Sequence, residues 1–268
     1  WSLLWFGSVY LAEFVRNSEF NLLVCVLLQV ICVLGCSFAS FMMFALSHDT
    51  AHGSISSIPF VNEFIGRYAT LFLYPAMWSS WRYMHLQHHK HTNNPTKDPD
   101  HWVVHVSKLP VFLKSWAQTY YYGIFYWKYC SPHRPLLEVA EFYTTVIFYL
   151  ALPFILYEKG FMREYLQYCL IPSAIALTFI AYYLDVVPHE QRKTTPQIDP
   201  YKTTSEIKMM REWKNDNPVW FSLLLQFQDY HFVHHLHPSI PSHQYRQKYI
   251  EKKDLLETKD IAKVFLMG

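Results

Sequence analysis

Eight of the fifteen histidines in the chain fall into three short clusters. They are His48 and His52 in the first, His85, His88 and His89 in the second, and His231, His234 and His235 in the third. Residues three or four positions apart lie on one face of an α-helix, so each cluster can aim two imidazoles at one point. A single zinc ion takes about four ligands. Eight imidazoles therefore predict two metal ions with four or five ligands each and an open position.

The composition of the chain indicates which metal such a site would hold. Of its residues 51% are hydrophobic and only 16% are charged, whereas soluble domains carry about 25% charged residues. This deficit excludes a disordered chain and a nucleic-acid-binding surface, and it favours a membrane protein. Imidazole binds iron, copper, nickel and zinc alike. A hydrocarbon chain of the bilayer offers no polar bond to hydrolyse, so a metal site beside it would act on C–H bonds. Oxidation of C–H bonds requires O2 and a redox metal, which favours iron.

Further polar residues near the clusters are candidates for the same centre. His189 directly follows an apolar run and is predicted as a ninth ligand. Metal-bound imidazoles usually donate their other N–H to a carboxylate or a carbonyl group. Asp49, Asp98 and Asp229 lie close to the clusters in sequence and are predicted to accept those hydrogen bonds. The alternative for Asp98 and Asp229 is to cap the N-terminus of a helix.

Long apolar runs must position these clusters. A hydrocarbon core about 30 Å thick requires roughly 20 apolar residues in a helix. We predict spans at Phe20–Leu46, Phe142–Tyr157 and Tyr165–Leu184, and the end of a further span at Trp1–Ala12. The chain begins inside the 1–12 stretch without a Met or a basic leader, so we expect it to be part of a longer protein. Residues 1–268 are expected to form a single domain, an all-α membrane protein with about four transmembrane helices.

The distribution of charge predicts the orientation of this bundle. With four spans, Arg16, Lys159 and Arg163 lie near one membrane face, whereas the remaining Lys and Arg residues lie on the face that carries every histidine. The positive-inside rule makes that second face cytoplasmic. Shorter apolar stretches are predicted to form a helical cap there, either in the membrane interface or as core helices. These stretches are 68–81, 109–127 and 218–228.

Three sequence runs carry a resemblance to a known family. They are His48–Ser54 (HDTAHGS), Trp81–Asn93 (WRYMHLQHHKHTN) and His231–Pro238 (HFVHHLHP). In order and separation they resemble the histidine boxes of the membrane fatty acid desaturase superfamily. The resemblance implies a non-haem di-iron centre on the cytosolic face of a four-span bundle, which uses O2 and two electrons to desaturate or hydroxylate a lipid chain. It also implies that the eight clustered histidines are iron ligands, with His189 as a further ligand in a looser motif.

Within the superfamily the resemblance is divided. The HDTAHGS run and Trp81–Arg82 are similar to acyl-lipid desaturases, whereas Thr92–Trp102 (TNNPTKDPDHW) and Pro188–His189 are similar to carotenoid ring hydroxylases and ketolases. Fatty acyl desaturation is the first expectation, and carotenoid hydroxylation or ketolation is the alternative. The sequence contains no haem motif, CxxC cluster or GxGxxG loop. Electrons are therefore expected from a separate carrier such as a ferredoxin or a cytochrome b5.

A zinc-dependent membrane hydrolase and a metal transporter are remote alternatives. A transporter should carry ionisable residues inside its spans, and the predicted spans hold essentially none. A helical zinc protease needs His-Glu-x-x-His, yet Asp49 and Thr50 follow His48. An enzyme that oxidises lipid chains must also form an apolar tunnel. The aromatic runs Tyr120–Tyr122 and Phe125–Trp127 are predicted either to line it or to form an interfacial belt.

Overall fold

A computed structural model describes residues 1–73, 77–190, 192–210, 216–259 and 261–267. The first helices are α1 (Ser2–Arg16), α2 (Leu22–Ala51), α3 (Pro59–Thr70), α4 (Trp78–His91) and α5 (Val111–Phe125). They are followed by α6 (Leu136–Glu158), α7 (Met162–His189), α8 (Val219–Leu224), α9 (His231–Leu236) and α10 (Tyr245–Thr258). Two strands, β1 (Glu206–Met210) and β2 (Lys263–Met267), complete the described part of the chain.

Three helices, α2, α6 and α7, are long and apolar enough to cross a bilayer. They correspond to the spans predicted at 20–46, 142–157 and 165–184. At about 1.5 Å per residue, the 30 residues of α2 extend about 45 Å and exceed a hydrocarbon core of about 30 Å. The N-terminal α1 has 15 residues in this chain and packs against α2, with Ala12 and Cys32 in one apolar cluster.

Local signals set the ends of the membrane helices. The side chain of Asn21 accepts a hydrogen bond from the Val24 backbone N–H at 3.0 Å and so caps the first turn of α2. Gly53, with φ 69°, follows the end of the same helix, and Gly160, with φ 78°, reverses the chain between α6 and α7. Residues with a Cβ rarely adopt such φ values, which explains glycine at both turns.

The packing of α2 against α7 positions the end of the bundle that carries the first histidines. Phe44 of α2 lies in one buried apolar cluster with Ile180 and Leu184 of α7. The following turns of the two helices carry His48 and His189, both fully buried. Because both histidines extend from the same packed pair of helices, their separation is fixed by apolar contacts rather than by a flexible loop.

A second apolar core holds the remaining elements over this end. Tyr230, Phe232, Tyr245 and Tyr249 form a buried cluster that joins α9 to α10. Beside this cluster, β1 and β2 pair in parallel, with Glu206 opposite Lys263. The described residues are mostly helical, which is consistent with the expected all-α membrane fold, and they also contain a small two-stranded sheet. Strands of five residues carry too little periodic signal to be predicted from the sequence.

The shorter apolar stretches form short helices, as expected. The 109–127 stretch contains α5, and the 218–228 stretch contains the six-residue α8. The 68–81 stretch includes the last turn of α3 and the first turn of α4. Residues 74–76 of that stretch lie outside the described residues. These helices surround the ends of α2 and α7 that carry the histidines, so the centre has protein on several sides.

Candidate metal centre

Nine buried or half-buried histidines form two adjoining groups. The five-histidine group contains His48, His52, His85, His89 and His234. The four-histidine group contains His88, His189, His231 and His235. Within each group one ring nitrogen per residue lies within 4.8 Å of all the others. The groups touch where the rings of His89 and His235 stack at a centroid distance of 4.2 Å. These are the nine residues that the sequence singles out, and the fold brings all of them together.

Helical geometry explains how each cluster divides between the groups. His85 and His89 are four residues apart on α4 and share the five-histidine group, whereas the intervening His88 points into the other group. On α9 the relation is reversed, since His231 and His235 share the four-histidine group and His234 joins the other one. In each helix the third histidine, His88 on α4 and His234 on α9, belongs to the other group. We call these two residues the crossing histidines. Each of these two helices therefore supplies both groups.

The Nε2 atoms of these rings point towards one another. His52 Nε2 lies 2.8 Å from His85 Nε2, and His234 Nε2 lies 2.8 Å from His89 Nε2. In the other group, His235 Nε2 lies 3.1 Å from His231 Nε2. A neutral imidazole has one donor and one acceptor nitrogen, so a hydrogen bond at any of these contacts requires one Nε2 to carry a proton and the other to lack it. A cation in each group would satisfy them together.

The electrostatics of the site also suit a metal. Burial, reinforced by the surrounding histidines, holds the pKa values of His85, His89, His234 and His235 well below the usual value. These rings are therefore neutral and offer lone pairs, which a metal ligand requires. His48 is fully buried, and neither of its ring nitrogens has a hydrogen-bond partner within the described part of the chain. Unpaired buried polar atoms are rare, and a bound metal would account for this one.

Three rings of the four-histidine group have a polar partner at Nδ1, the nitrogen that faces away from the centre. His88 Nδ1 lies 2.8 Å from Asp98 Oδ1 and 3.1 Å from Asp100 Oδ2. His231 Nδ1 lies 3.1 Å from the Gln228 side-chain oxygen. His235 Nδ1 lies 3.4 Å from the Thr92 hydroxyl oxygen. These contacts hold the outer nitrogen of each ring and leave its Nε2 free to face the centre.

Carboxylates make His88 different from its neighbours. Burial lowers its pKa, but the adjacent Asp98 and Asp100 outweigh that effect and raise the pKa to about 9. A carboxylate that accepts a hydrogen bond from Nδ1–H fixes the tautomer and makes the lone pair of Nε2 a stronger donor to a metal. Asp98 is itself held by the backbone N–H groups of Asn93, at 2.6 Å, and of Asp100, at 2.9 Å.

The five-histidine group has fewer outer partners. The Tyr245 hydroxyl lies 2.7 Å from His234 Nδ1. The ring of His85 stacks on Trp81 at a centroid distance of 5.2 Å. His89 Nδ1 is buried and has no partner among the described residues. His52 and His89 are half-buried, whereas only His235 is half-buried in the other group. The five-histidine group is thus more exposed, and fewer of its outer ring nitrogens have a hydrogen-bond partner.

Two of the three carboxylates that were predicted to accept hydrogen bonds from the ligand imidazoles make their hydrogen bonds elsewhere. Asp49 Oδ2 accepts hydrogen bonds from the backbone N–H and hydroxyl of Ser242, both at 2.9 Å, and its Oδ1 lies 3.5 Å from His48 Nδ1. Asp229 Oδ2 accepts from the Ser222 hydroxyl at 2.6 Å and the Asn217 amide at 2.9 Å. Asp49 therefore ties the end of α2 to the cap, and Asp229 joins segments of the cap. Burial raises the pKa of Asp229 to about 6.

A chain of polar side chains that the sequence did not single out continues beyond His88. The Gln118 side-chain amide donates to Asp100 Oδ1 at 3.3 Å and to Asp185 Oδ2 at 3.0 Å. The Tyr122 hydroxyl also donates to Asp100. Asp185 lies one helical turn before His189, and Gln118 and Tyr122 share a face of α5. These spacings were visible in the sequence, but nothing in the sequence indicated that α5 lies beside α7.

The family model described as fatty acid desaturase matches residues 23–262, which cover most of the chain. The chain belongs to this family. The match begins in the first turns of α2 and extends past α10, so it includes every element that carries a histidine of the two groups. The resemblance inferred from the three histidine boxes is thereby confirmed.

Curated relatives of this chain carry two kinds of name. A chloroplastic omega-6 fatty acid desaturase of Glycine max is 27% identical over 227 residues, which cover 76% of this chain and 51% of that protein. An sn-1 oleoyl-lipid 12-desaturase of a Picosynechococcus species is 27% identical over 81% of this chain and 68% of its own length. A beta-carotene ketolase of a Paracoccus species is 26% identical over a region that covers 80% of this chain and 76% of that protein. The chain spans about half the length of the chloroplastic relative.

A cavity of about 1000 Å³, open mouth included, leads to the two histidine groups. His48, His85, His88 and His231 contribute to its wall, so both histidine groups face it. Its other walls are mostly apolar and include Phe44, Leu73, Met84, Ile180 and Leu184. Of the predicted aromatic lining, Tyr122 lies in the wall. Phe125 and Tyr126 instead belong to a buried cluster with Met84 and Phe142.

Proposed function

We propose that this chain is the core of an O2-dependent di-iron oxidoreductase that acts on a lipid chain, most directly as a fatty acyl desaturase. The proposal gives one iron ion to the five-histidine group and one to the four-histidine group. The ligands are then His48, His52, His85, His89 and His234 for the first, and His88, His189, His231 and His235 for the second. Asp98 supports the second group, and Asp49 and Asp229 hold the surrounding cap.

The observation that carries the proposal is that both groups contribute to the wall of one cavity whose exposed lining is largely apolar. Each group offers imidazole nitrogens within 4.8 Å of one another, which is close to the separation of about 4.2 Å or less that metal–imidazole bonds of about 2.0–2.1 Å give. A hydrocarbon segment in the cavity would lie beside both groups. A hydrolytic zinc centre would have no polar bond to attack in such a cavity.

The side chains around the centre have separate tasks in this proposal. Iron, when bound, supplies the activation of O2 with electrons from a separate carrier, such as a ferredoxin or a cytochrome b5. Phe44, Ile180 and Leu184 exclude water and hold a methylene segment by dispersion contacts. Asp98 keeps the proton of His88 on Nδ1 and so keeps its Nε2 directed inward. The position of the held carbon decides whether a double bond or an alcohol results.

The proposal also includes the placement of the protein in a membrane. The spans α2, α6 and α7, with α1 as a fourth, would cross the bilayer, and residues 1–268 would act as one domain. The histidine groups and the cap would lie on the cytosolic face. The distribution of Lys and Arg supports this orientation, because few basic residues lie at the other ends of the spans.

Expression followed by lipid analysis tests the proposed activity. Cells that make the full-length protein and a matched electron donor should accumulate fatty acyl chains with one additional double bond, detected by mass spectrometry. Purified protein should contain about two iron ions per chain, as two histidine groups require. Unchanged lipids together with a zinc-loaded protein would contradict the proposal.

Carotenoid ring hydroxylation or ketolation is the second candidate. The ketolase relative is covered over 76% of its length, which exceeds the 51% for the chloroplastic desaturase. Gln118, Tyr122 and Asp185 also add polar atoms to the cavity wall, which an unsubstituted acyl chain does not need. Expression in cells that make β-carotene separates the candidates, since oxygenated pigments would support this one and unchanged pigments would oppose it.

A further inference from the structure

A second cavity opens on the flank of the bundle and adjoins the cavity that reaches the histidines. It has about 770 Å³, open mouth included, and lies between α5, α6 and α7. We call it the lateral groove. Trp116 and Tyr120 of α5, Leu150 of α6 and Leu170 and Ala174 of α7 contribute to its walls. The groove is therefore formed almost entirely by apolar and aromatic side chains.

The depth of the lateral groove indicates what could occupy it. Its lining residues on α6 lie at 146–150, near the middle of that helix, and those on α7 lie at 170–177, near the middle of α7. Both helices are candidate membrane spans, and Leu150 is 68% exposed. In a bilayer this opening would face the hydrocarbon tails rather than the headgroups or the water.

Three residues line both the lateral groove and the inner cavity. They are Met77, which immediately precedes α4, Thr119 of α5 and Leu177 of α7. These side chains form the partition between the membrane-facing space and the histidine centre. Thr119 is half-buried, and its hydroxyl lies 3.3 Å from the Ser115 backbone carbonyl oxygen, to which it donates. A larger side chain at this position would extend into the partition.

The charges around the two cavities favour a hydrocarbon occupant over a soluble acyl thioester. No Lys or Arg is among the described residues that line either cavity. Carriers with phosphate groups are usually bound through Arg or Lys side chains. A neutral hydrocarbon tail needs no such partner and gains from burial against apolar walls.

We propose that the lateral groove admits the hydrocarbon tail of a bilayer lipid, which passes Thr119, Met77 and Leu177 to reach the histidine centre from inside the membrane. The substrate would then be a lipid already in the bilayer, and not an acyl thioester delivered from water. This inference rests on the proposed function only for the chemistry that follows. The route itself depends on the two cavities and the partition between them.

Photochemical labelling tests the route without relying on turnover. Full-length protein would be placed in vesicles of phosphatidylcholine that carries a diazirine in one acyl chain, and labelled residues would be mapped by mass spectrometry. Wild-type protein should be labelled in the groove, at Trp116 or Leu150, and in the inner cavity, at Tyr122 or Gly123. In Thr119→Trp, groove labelling should persist, whereas inner labelling should be lost because the indole fills the partition.

A matched control and an activity measurement complete the test. Leu113→Trp adds the same side chain to an exposed position of α5 that lines neither cavity, and it should leave both labels and turnover unchanged. Thr119→Trp should lower turnover of vesicle lipid by about 100-fold, because a tail held short of the centre cannot reach a reactive geometry. Its iron content should equal that of the wild type, which shows that the variant folds.

The outcomes separate the route from the proposed function. Inner labelling that persists in Thr119→Trp would overturn the route, and so would wild-type protein in which a diazirine acyl-CoA from water labels the inner cavity and the vesicle lipid does not. Inner labelling that Thr119→Trp abolishes, in a wild-type protein that forms no oxidised lipid, would support the route and contradict the proposed function.

Discussion

The five-histidine group and the four-histidine group receive different support from the protein around them. In the four-histidine group, carboxylate, amide and hydroxyl partners stand behind His88, His231 and His235. In the five-histidine group, the Tyr245 hydroxyl lies 2.7 Å from His234 Nδ1, and Asp49 Oδ1 lies 3.5 Å from His48 Nδ1 without forming a hydrogen bond. One group thus has more rings, and the other has rings that are held more firmly.

This difference suggests two ways of building a metal site from the same side chain. A ring whose outer nitrogen faces a carboxylate is oriented and made more basic before any metal arrives. A ring without such a partner depends on the number of neighbouring ligands and on close packing, as for His85 against Trp81. We therefore expect the loss of a partner at an outer ring nitrogen to lower metal affinity more in the four-histidine group than in the five-histidine group.

Removal of a crossing histidine should have the largest effect. His88→Ala takes one ligand from the four-histidine group, and His234→Ala takes one from the five-histidine group. Both variants should remain folded in the membrane, contain less iron and form no product. Metal analysis of the purified proteins and lipid profiling of the cells measure both effects. His133→Ala changes an exposed histidine and serves as the control, while full activity in both variants would remove the catalytic assignment.

Loss of the carboxylate behind His88 should have the next largest effect. Asp98→Asn keeps the size of the side chain and removes the negative charge beside His88 Nδ1. Changes of this kind lower metal affinity or activity by about 10–100-fold. Iron titration of the apo-protein measures the affinity, and Asp254→Asn, at an exposed position, is the matched control. Unaltered affinity in Asp98→Asn would show that the carboxylate does not support the ligand.

A smaller effect is expected behind the five-histidine group. Tyr245→Phe removes one neutral hydrogen bond at His234 Nδ1 and leaves the ring packing intact. A bond of this kind contributes about 0.5–1.5 kcal/mol, which corresponds to a loss of iron affinity of about 2- to 10-fold. The same titration compares it with Asp98→Asn. A larger loss for Tyr245→Phe than for Asp98→Asn would reverse the proposed difference between the groups.

The smallest effect on the metal is expected at Asp229. Asp229→Asn weakens hydrogen bonds to Ser222 and Asn217, so the free energy of unfolding should fall by about 1–3 kcal/mol. Iron content per folded protein should stay at the wild-type value, because Asp229 joins parts of the cap and does not support a ligand. Thermal unfolding in detergent and metal analysis separate the two effects. Iron loss without a change in stability would place Asp229 behind a ligand after all.

The sequence predicted the residues of the centre better than their arrangement. Helical spacing indicates that His85 and His89 act together, since both lie on the same face of one helix. It cannot indicate that His88 meets His189 and His231, because that depends on how α4, α7 and α9 pack. The family assignment and the three long spans were predicted because boxes and apolar runs are local patterns, whereas contacts between distant elements are not.

The side chains that contact the outer ring nitrogens were also only partly predictable from the sequence. Asp98 lies beside His88, as its position in the sequence suggests, whereas Asp49 and Asp229 bond mainly to Ser242 and to Asn217 and Ser222. Proximity in sequence could not distinguish these cases, since each carboxylate has several donors within reach once the cap folds. Tyr245 carries no local signal at all. It reaches His234 only because α10 packs against α9.

The crossing of His88 and His234 between the groups has a thermodynamic consequence. An ion bound in one group would restrain a helical turn that also carries a ligand for the other group, so a second ion would meet a site whose conformational entropy is already reduced. Uptake of the pair should then be cooperative, with a steep loading curve and little half-loaded protein. A short helix that contributes to both groups thereby makes the two ions depend on each other without direct contact between them.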